Sequence, residues 1–251
     1  MTSTKRPTSA FVLAAGKGER MRPLTETRPK PLVPVAGTPL IDQVLDRLAD
    51  AHITDAIVNV HYLADQIEDH LRTRKTPKIT ISDERGELLD TGGGVAKALP
   101  KLGNAPFLIH NSDSIWVEGM GSNLDRLIDA WDDATMDSLM LVAPIATSVG
   151  YDGAGDFQMD ASGRLTRQTG ARLAPFVFAG VSIAHPRLFD GAPKSAFSLN
   201  RPWNTAIEKG RLFGVRLEGI WMHVGTPSAI AEAENAIANS MTAGSTLPGE
   251  D

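Results

Sequence analysis

The chain has 251 residues, 42% of them hydrophobic and 22% charged, with a formal net charge of −5. That length can bury a substantial core, as one α/β domain or one domain with a small lobe. The negative balance argues against a general nucleic-acid or anionic-membrane surface, and the absence of cysteine excludes disulfides, thiolate metal sites, Fe–S clusters and cysteine nucleophiles.

Residues 1–8 read as a loose polar tail, and the apolar run from Ala10 to Ala15 is too short for a secretion signal. No stretch approaches the ~20 apolar residues of a membrane span, so the expectation is a cytoplasmic protein with no membrane partner. Ala10 to Leu13 is a short buried strand that breaks into the loop AAGKGERMRP. From Arg28 the text RPKPLVPVAGTPL carries four prolines, which disfavour helix and predict a stiff, extended connector. A helix follows, with Thr38 as N-cap, Pro39 at its first position and an apolar face of Leu40, Ile41, Val44, Leu45 and Leu48.

Strands are predicted at 56–60, 78–81, 107–110 and 138–144, with helices at 63–71 and 122–131 between them. Thr91-Gly92-Gly93-Gly94 reads as a turn leading into a short helix through Val95 to Leu99. This alternation predicts a doubly wound, mostly parallel sheet. After Gly150 the glycines become frequent, and 157–159 and 164–168 read as hairpins of a small second lobe. Further strands at 177–184, 212–217 and 221–224, a helix near 203–209 and an alanine-rich helix from Pro227 to about Ala238 complete the chain. The division predicted is one domain over 9–239, with a first half to about 145, a second half over 146–225, and a loose end over 240–251.

The loop after the first strand sets Lys17, Arg20 and Arg22 around Gly16 and Gly18. It is neither common phosphate loop. Gly18 stands where a P-loop needs Ser or Thr, and Met21 where the dinucleotide fingerprint needs a small residue. What remains is a glycine turn whose backbone N–H groups can approach a polyphosphate, with guanidinium donors beside it. Pro29 and Pro31 flank Lys30 and predict an extended, displayed ammonium. Asp113, just past a buried strand in IHNSDSIW, suits Mg²⁺, which takes few protein oxygens.

LAAGKGERM, then PLTETRPKPLVPVAGTPLI, DTGGG, NSD and WMHVGTP together resemble the nucleotidyltransferases that activate sugar 1-phosphates. The resemblance runs from about Phe11 to Ala238. HYLADQIEDHL, LLDTGGGVAKALP, GAGDF and FAGVSI resemble most the family's uridylyltransferases for N-acetylmuramate 1-phosphate. It implies a Rossmann-like fold with a sugar-binding lobe, and transfer of a nucleotidyl group from UTP to that sugar phosphate in cell-wall recycling. Glucose-1-phosphate or mannose-1-phosphate enzymes are the alternatives within the family. The partners implied are small molecules, and the chain a monomer or small homo-oligomer.

Residue by residue, the resemblance implies a nucleotide site of Leu13, Ala14, Ala15, Gly16, Lys17, Gly18, Glu19, Arg20, Met21, Thr91, Gly92 and Gly93. It makes Arg22, Lys30 and Asp113 catalytic, and sets Asn111, Asp156 and Gly180 beside the sugar. Asp113 would bind Mg²⁺, with Mn²⁺ as the other option. Two positions depart from the pattern. Asp90 stands where glutamate is more frequent, and His223 stands where the family has its second metal-binding aspartate. Imidazole is a poor ligand for hard Mg²⁺ and suits transition metals better. Three outcomes stay open: a single-metal enzyme held by Asp113, a preference for Mn²⁺, or a weakened enzyme that acts as a nucleotide-binding regulator.

Overall fold

The apolar side chains of strand β1 (Ser9–Leu13) alternate between two cores, because successive residues of a strand face opposite ways. Ala10 and Val12 enter one core and Phe11 the other, all fully buried. A computed structural model describes residues 6–168 and 173–243. In chain order β1 is followed by β2 (Pro34–Val35), β3 (Thr38–Pro39), α1 (Leu40–Asp50), β4 (Asp55–Val60), α2 (Ala64–Leu71) and β5 (Lys78–Asp83). Then come α3 (Asp90–Leu102), β6 (Phe107–Asn111), β7 (Ser114–Glu118), α4 (Asn123–Asp129) and β8 (Ser138–Pro144). The chain continues through β9 (Phe157–Met159), β10 (Leu165–Arg167), β11 (Phe176–Ala184), α5 (Asn200–Glu208), β12 (Leu212–Arg216), β13 (Gly219–His223) and α6 (Pro227–Ala243).

The main sheet runs β12-β8-β11-β6-β1-β4-β5, with β9 and β10 attached at the start of β11. Pairings β6–β1, β1–β4, β4–β5 and β12–β8 are parallel, and β11 alone of these seven runs antiparallel to its neighbours. Helices α1, α2 and α4 cover one face through Leu45, Ile67 and Leu127, while α3 and α5 cover the other through Val95 and Trp203. This is the doubly wound, mostly parallel α/β architecture expected. The apolar face of α1 buries Leu40, Ile41, Val44, Leu45 and Leu48 completely, at about 1.5–3 kcal/mol for each large side chain.

Several local expectations change. Thr38 and Pro39 form β3, and α1 starts at Leu40 with Pro39 rather than Thr38 at its N-cap and no side-chain cap. Lys30 opens a 3-10 turn, Lys30–Leu32, so the proline connector is not extended throughout. Thr91 to Gly94 is not a turn but the first turn of α3, with all three glycines buried. Residues 6–8 are anchored rather than loose: Arg6 pairs with Asp125 and Asp129, Pro7 is buried, and the Thr8 carbonyl accepts from Thr54. The rest of the two predicted tails, 1–5 and 244–251, lies outside the described residues, while α6 runs on through 240–243. Strand β7 is new to the structure. It pairs antiparallel with β13 in a separate two-stranded sheet, whose register sets His223 opposite Ser114.

Candidate active site

Ligands of open α/β sheets bind outside the carboxyl ends of the parallel strands. Here that edge carries Leu13 at the end of β1, Asn59 on β4 and Asn111 at the end of β6. These three line a cavity of about 270 Å³ with Ala14, Gly16, Gly18, Lys30, Pro31, Leu88, Asp90, Thr91, Ser112 and Asp113. A second cavity of about 260 Å³ shares Leu13, Thr91 and Asn111 with the first. It continues between β9, β10, β11 and α5 to Asp156, Phe157, Arg167, Phe178, Asn200 and Trp203. A larger hollow of about 960 Å³ lies behind α3, but its Arg85 is tied to Asp65, Glu68 and Asp83. The chemistry-bearing side chains converge on the shared pair of cavities.

Lys30 and Asp113 meet at the first cavity. The Lys30 ammonium donates to Asp113 Oδ2 at 2.5 Å, with side-chain exposures of 12% and 26%. Burial works to raise the Asp113 carboxyl, but Lys30 and, more weakly, His223 outweigh it and hold the group below its ordinary value. The carboxylate is therefore ionised at neutral pH. Burial pulls the His223 imidazole below its ordinary 6.5. Asp113 opposes that change, while Lys30 and Arg20 add to it. The ring is neutral at pH 7.

A buried polar chain holds the loop mouth. The Ala14 N–H donates to Asn59 Oδ1 at 2.7 Å, and Asn59 Nδ2 donates to Glu84 Oε1 at 2.8 Å. Glu84 Oε2 accepts from the Leu89 N–H, which ties the segment before α3 to the same carboxylate. A Cβ on Gly94 would come within 2.7 Å of Glu84 Oε1 and 2.9 Å of Asn59 Nδ2, so α3 approaches β4 only with glycine there. At Gly18, φ is +64° and a Cβ would press Lys30 Cβ at 3.0 Å and Thr25 Cγ2 at 3.1 Å. Thr25 Oγ1 donates to the Gly18 carbonyl at 2.8 Å, which pins the turn.

The structure gathers Leu13, Ala14, Gly16, Gly18, Lys30, Thr91, Asn111 and Asp113 at the first cavity, and Asp156 at the second. Gly16 has open space where a Cβ would stand. Lys17, Glu19, Arg20 and Arg22 are exposed around the loop and outside the cavity wall. Five predicted residues are placed otherwise. Met21 is fully buried in a small core with Val33, Leu40 and Met222, and Ala15 is 4% exposed and lines neither cavity. Gly92 and Gly93 both donate their N–H groups to the Phe197 carbonyl, and a Cβ on Gly92 would overlap the Phe197 ring. Their glycine identity thus serves the packing of α3 against the 195–197 segment. Gly180 lines neither cavity; it has φ +87°, and a Cβ there would overlap Ser114.

Asn59, Glu84 and Arg167 are the site residues that sequence reading missed. Asn59 left a trace, as the one polar residue inside the apolar strand AIVNV. Glu84 and Arg167 left none, because their partners lie on elements distant in the chain.

Residues 9–152 match the model of the nucleotidyl transferase family. The chain is 45% identical to an N-acetylmuramate alpha-1-phosphate uridylyltransferase of Caulobacter vibrioides, over 94% of its own length and 100% of the relative's. It is 37% identical to a Neisseria meningitidis protein of the same name, over 90% and 96%. Among solved structures, a UDP-glucose pyrophosphorylase complexed with UDP-glucose superposes with TM-score 0.75 at 15% identity, over 93% of this chain and 99% of that one. That likeness fixes the fold. The chain belongs to the nucleotidyl transferase family.

Proposed function

We propose that the protein transfers the uridylyl group of UTP to N-acetylmuramate 1-phosphate, giving UDP-N-acetylmuramate and pyrophosphate. The observation that carries this reading is the pair of joined cavities, with Lys30 and Asp113 in contact at the first. The choice of base and sugar is supported by the names of the two relatives that cover nearly the whole chain.

In this reading the nucleotide occupies the first cavity, against Leu13, Ala14 and Gly16. The exposed Lys17, Arg20 and Arg22 surround the triphosphate. The sugar occupies the second cavity, beside Asn111 and Asp156. A sugar phosphate is already anionic near neutral pH, so its oxygen attacks the α-phosphorus without a protein base. The α–β phosphoanhydride bond breaks and pyrophosphate leaves. Lys30 bridges the incoming phosphate and the α-phosphate, and Arg22 neutralises charge on the leaving group. The rate comes from in-line positioning and charge neutralisation.

The donor set fits a divalent cation that draws most of its ligands from substrate. Asp113 supplies an ionised carboxylate, and the register of β7 with β13 brings the neutral imidazole of His223 beside it. No group of three or more His, Cys, Asp or Glu side chains forms a complete metal site among the described residues. Mg²⁺ or Mn²⁺ held by Asp113 and His223 would be completed by phosphate oxygens and water. Such an ion supplies charge neutralisation at the α-phosphate.

Pyrophosphate release across four nucleoside triphosphates and a set of sugar 1-phosphates tests the reading. Turnover should be fastest with UTP and N-acetylmuramate 1-phosphate. Robust turnover only with GTP and mannose 1-phosphate would overturn it.

A further inference from the structure

Among the described residues the second cavity is lined by one cationic side chain, Arg167 at the end of β10. Its guanidinium lies 4.4 Å over the Phe157 ring, which fixes its plane. Nη2 donates to Asn200 Oδ1 at 2.5 Å and Nε donates to Asn204 Oδ1 at 3.2 Å. Among the described residues these partners are two neutral amides and one ring, and no carboxylate pairs with it. Asp156 shares the cavity, but its Oδ2 accepts from the Phe178 N–H at 2.9 Å. Burial lowers the Arg167 pKa, and Asp156 offsets that only in part.

A guanidinium held in a fixed plane, with no carboxylate at ion-pair distance among the described residues, keeps N–H donors free for an anion that enters the cavity. The anion of the sugar's phosphate is accounted for elsewhere, since Lys30 and Asp113 sit at the other cavity. Arg167 lines the second cavity alone and is not part of the shared wall of Leu13, Thr91 and Asn111. A substrate that runs through both cavities and satisfies both cationic ends carries two anionic groups, one at each end. N-acetylmuramate 1-phosphate does: its lactyl ether ends in a carboxylate that N-acetylglucosamine 1-phosphate lacks.

We propose that Arg167, held by Asn200 and Asn204 over Phe157, binds the lactyl carboxylate of the sugar and selects N-acetylmuramate 1-phosphate over N-acetylhexosamine phosphates that lack a carboxylate. This rests on the substrate reading above. A planar guanidinium matches a carboxylate through two parallel N–H···O bonds, which an ammonium cannot reproduce. The same group gains less from a neutral hydroxyl, which accepts a single weaker hydrogen bond, so the contact with Arg167 discriminates between the two sugars.

The test compares wild type with Arg167→Leu, Arg167→Gln and Arg167→Lys on N-acetylmuramate 1-phosphate and N-acetylglucosamine 1-phosphate, with UTP affinity as the control for folding. Losing a charge-assisted contact should raise KM for the lactyl sugar roughly 10- to 100-fold in Arg167→Leu and Arg167→Gln. The change in kcat should be small, and the selectivity ratio between the two sugars should fall with KM. Arg167→Lys should restore part of the ratio. Calorimetry with UDP-N-acetylmuramate and UDP-N-acetylglucosamine should show the same loss of preference without turnover. An unchanged ratio, or equal losses on both sugars, overturns the role of Arg167 while leaving the substrate reading intact. A wild-type enzyme that uses only sugar phosphates without a carboxylate overturns both.

Discussion

The Lys30 ammonium touches Asp113 Oδ2 at 2.5 Å, although 83 residues separate the two in sequence. A 3-10 turn presents the lysine and the exit of β6 presents the aspartate, so the ion pair joins the proline connector to the sheet edge. In the proposed reaction both groups act on the same phosphates, and neither does so without the other's charge in place.

Lys30→Ala and Asp113→Ala should each lower kcat/KM by about 10²–10³-fold, as losses of transition-state charge stabilisation do. The double variant should fall well short of the product of the single effects, because residues in direct contact are coupled. Steady-state kinetics on the four-member cycle checks this, and full additivity would separate the two roles.

His223 bears on the metal. A neutral nitrogen ligand beside one carboxylate should favour Mn²⁺ or Co²⁺ over Mg²⁺. His223→Asp should invert that order and bind Mg²⁺ more tightly. Competition of Mg²⁺ against Mn²⁺ followed by electron paramagnetic resonance reads the affinities directly. Equal preference in both proteins would remove His223 from the metal site.

The chain from Glu84 through Asn59 to Ala14 positions the loop after β1, which holds the nucleotide in the proposed reaction. Asn59→Leu leaves Glu84 Oε1 and the Ala14 N–H without their partners, at about 1–3 kcal/mol for each buried group. The expected result is a lower midpoint of urea unfolding and a raised KM for UTP, with KM for the sugar phosphate less affected. Gly94→Ala should act in the same direction, since its Cβ intrudes on both side chains.

How much of this was legible in the sequence depends on whether a residue's partner lies nearby in the chain. The strand-helix alternation, the amphipathic face of α1 and the hairpin of β9 and β10 were legible, because periodicity and glycine placement are local signals. The glycine loop, Lys30 and Asp113 were legible as motifs. Gly92, Gly93 and Gly180 were assigned to the ligands through the family resemblance, and sequence does not tell what within the fold approaches a glycine. Here it is Phe197 for Gly92 and Ser114 for Gly180. Met21, flanked by exposed arginines, turns inward beneath the loop, a placement that its neighbours in sequence do not signal. Glu84 and Arg167 owe their roles to pairings that only the folded chain creates.

His110 sets a pH dependence of stability. It is fully buried against Trp116, and burial pushes its pKa down to about 4 from 6.5. Between those values the unfolded chain binds a proton that the folded chain refuses, so stability falls as pH drops from about 6.5 to about 4. The loss approaches about 3 kcal/mol at the lower end, at about 1.4 kcal/mol per pH unit. His110→Phe should flatten this part of the pH profile of the unfolding free energy. An unchanged slope in the variant would assign it to other groups.

Phosphorus NMR of an equimolar mixture of UTP and N-acetylmuramate 1-phosphate, with the protein and Mg²⁺ or Mn²⁺, addresses the transfer itself. The account requires new diphosphate-diester resonances and pyrophosphate to grow in equal amounts, and both to grow about 10²–10³-fold more slowly with Asp113→Ala. Bound but unconverted UTP, or diphosphate formation unaffected by Asp113→Ala, would contradict it.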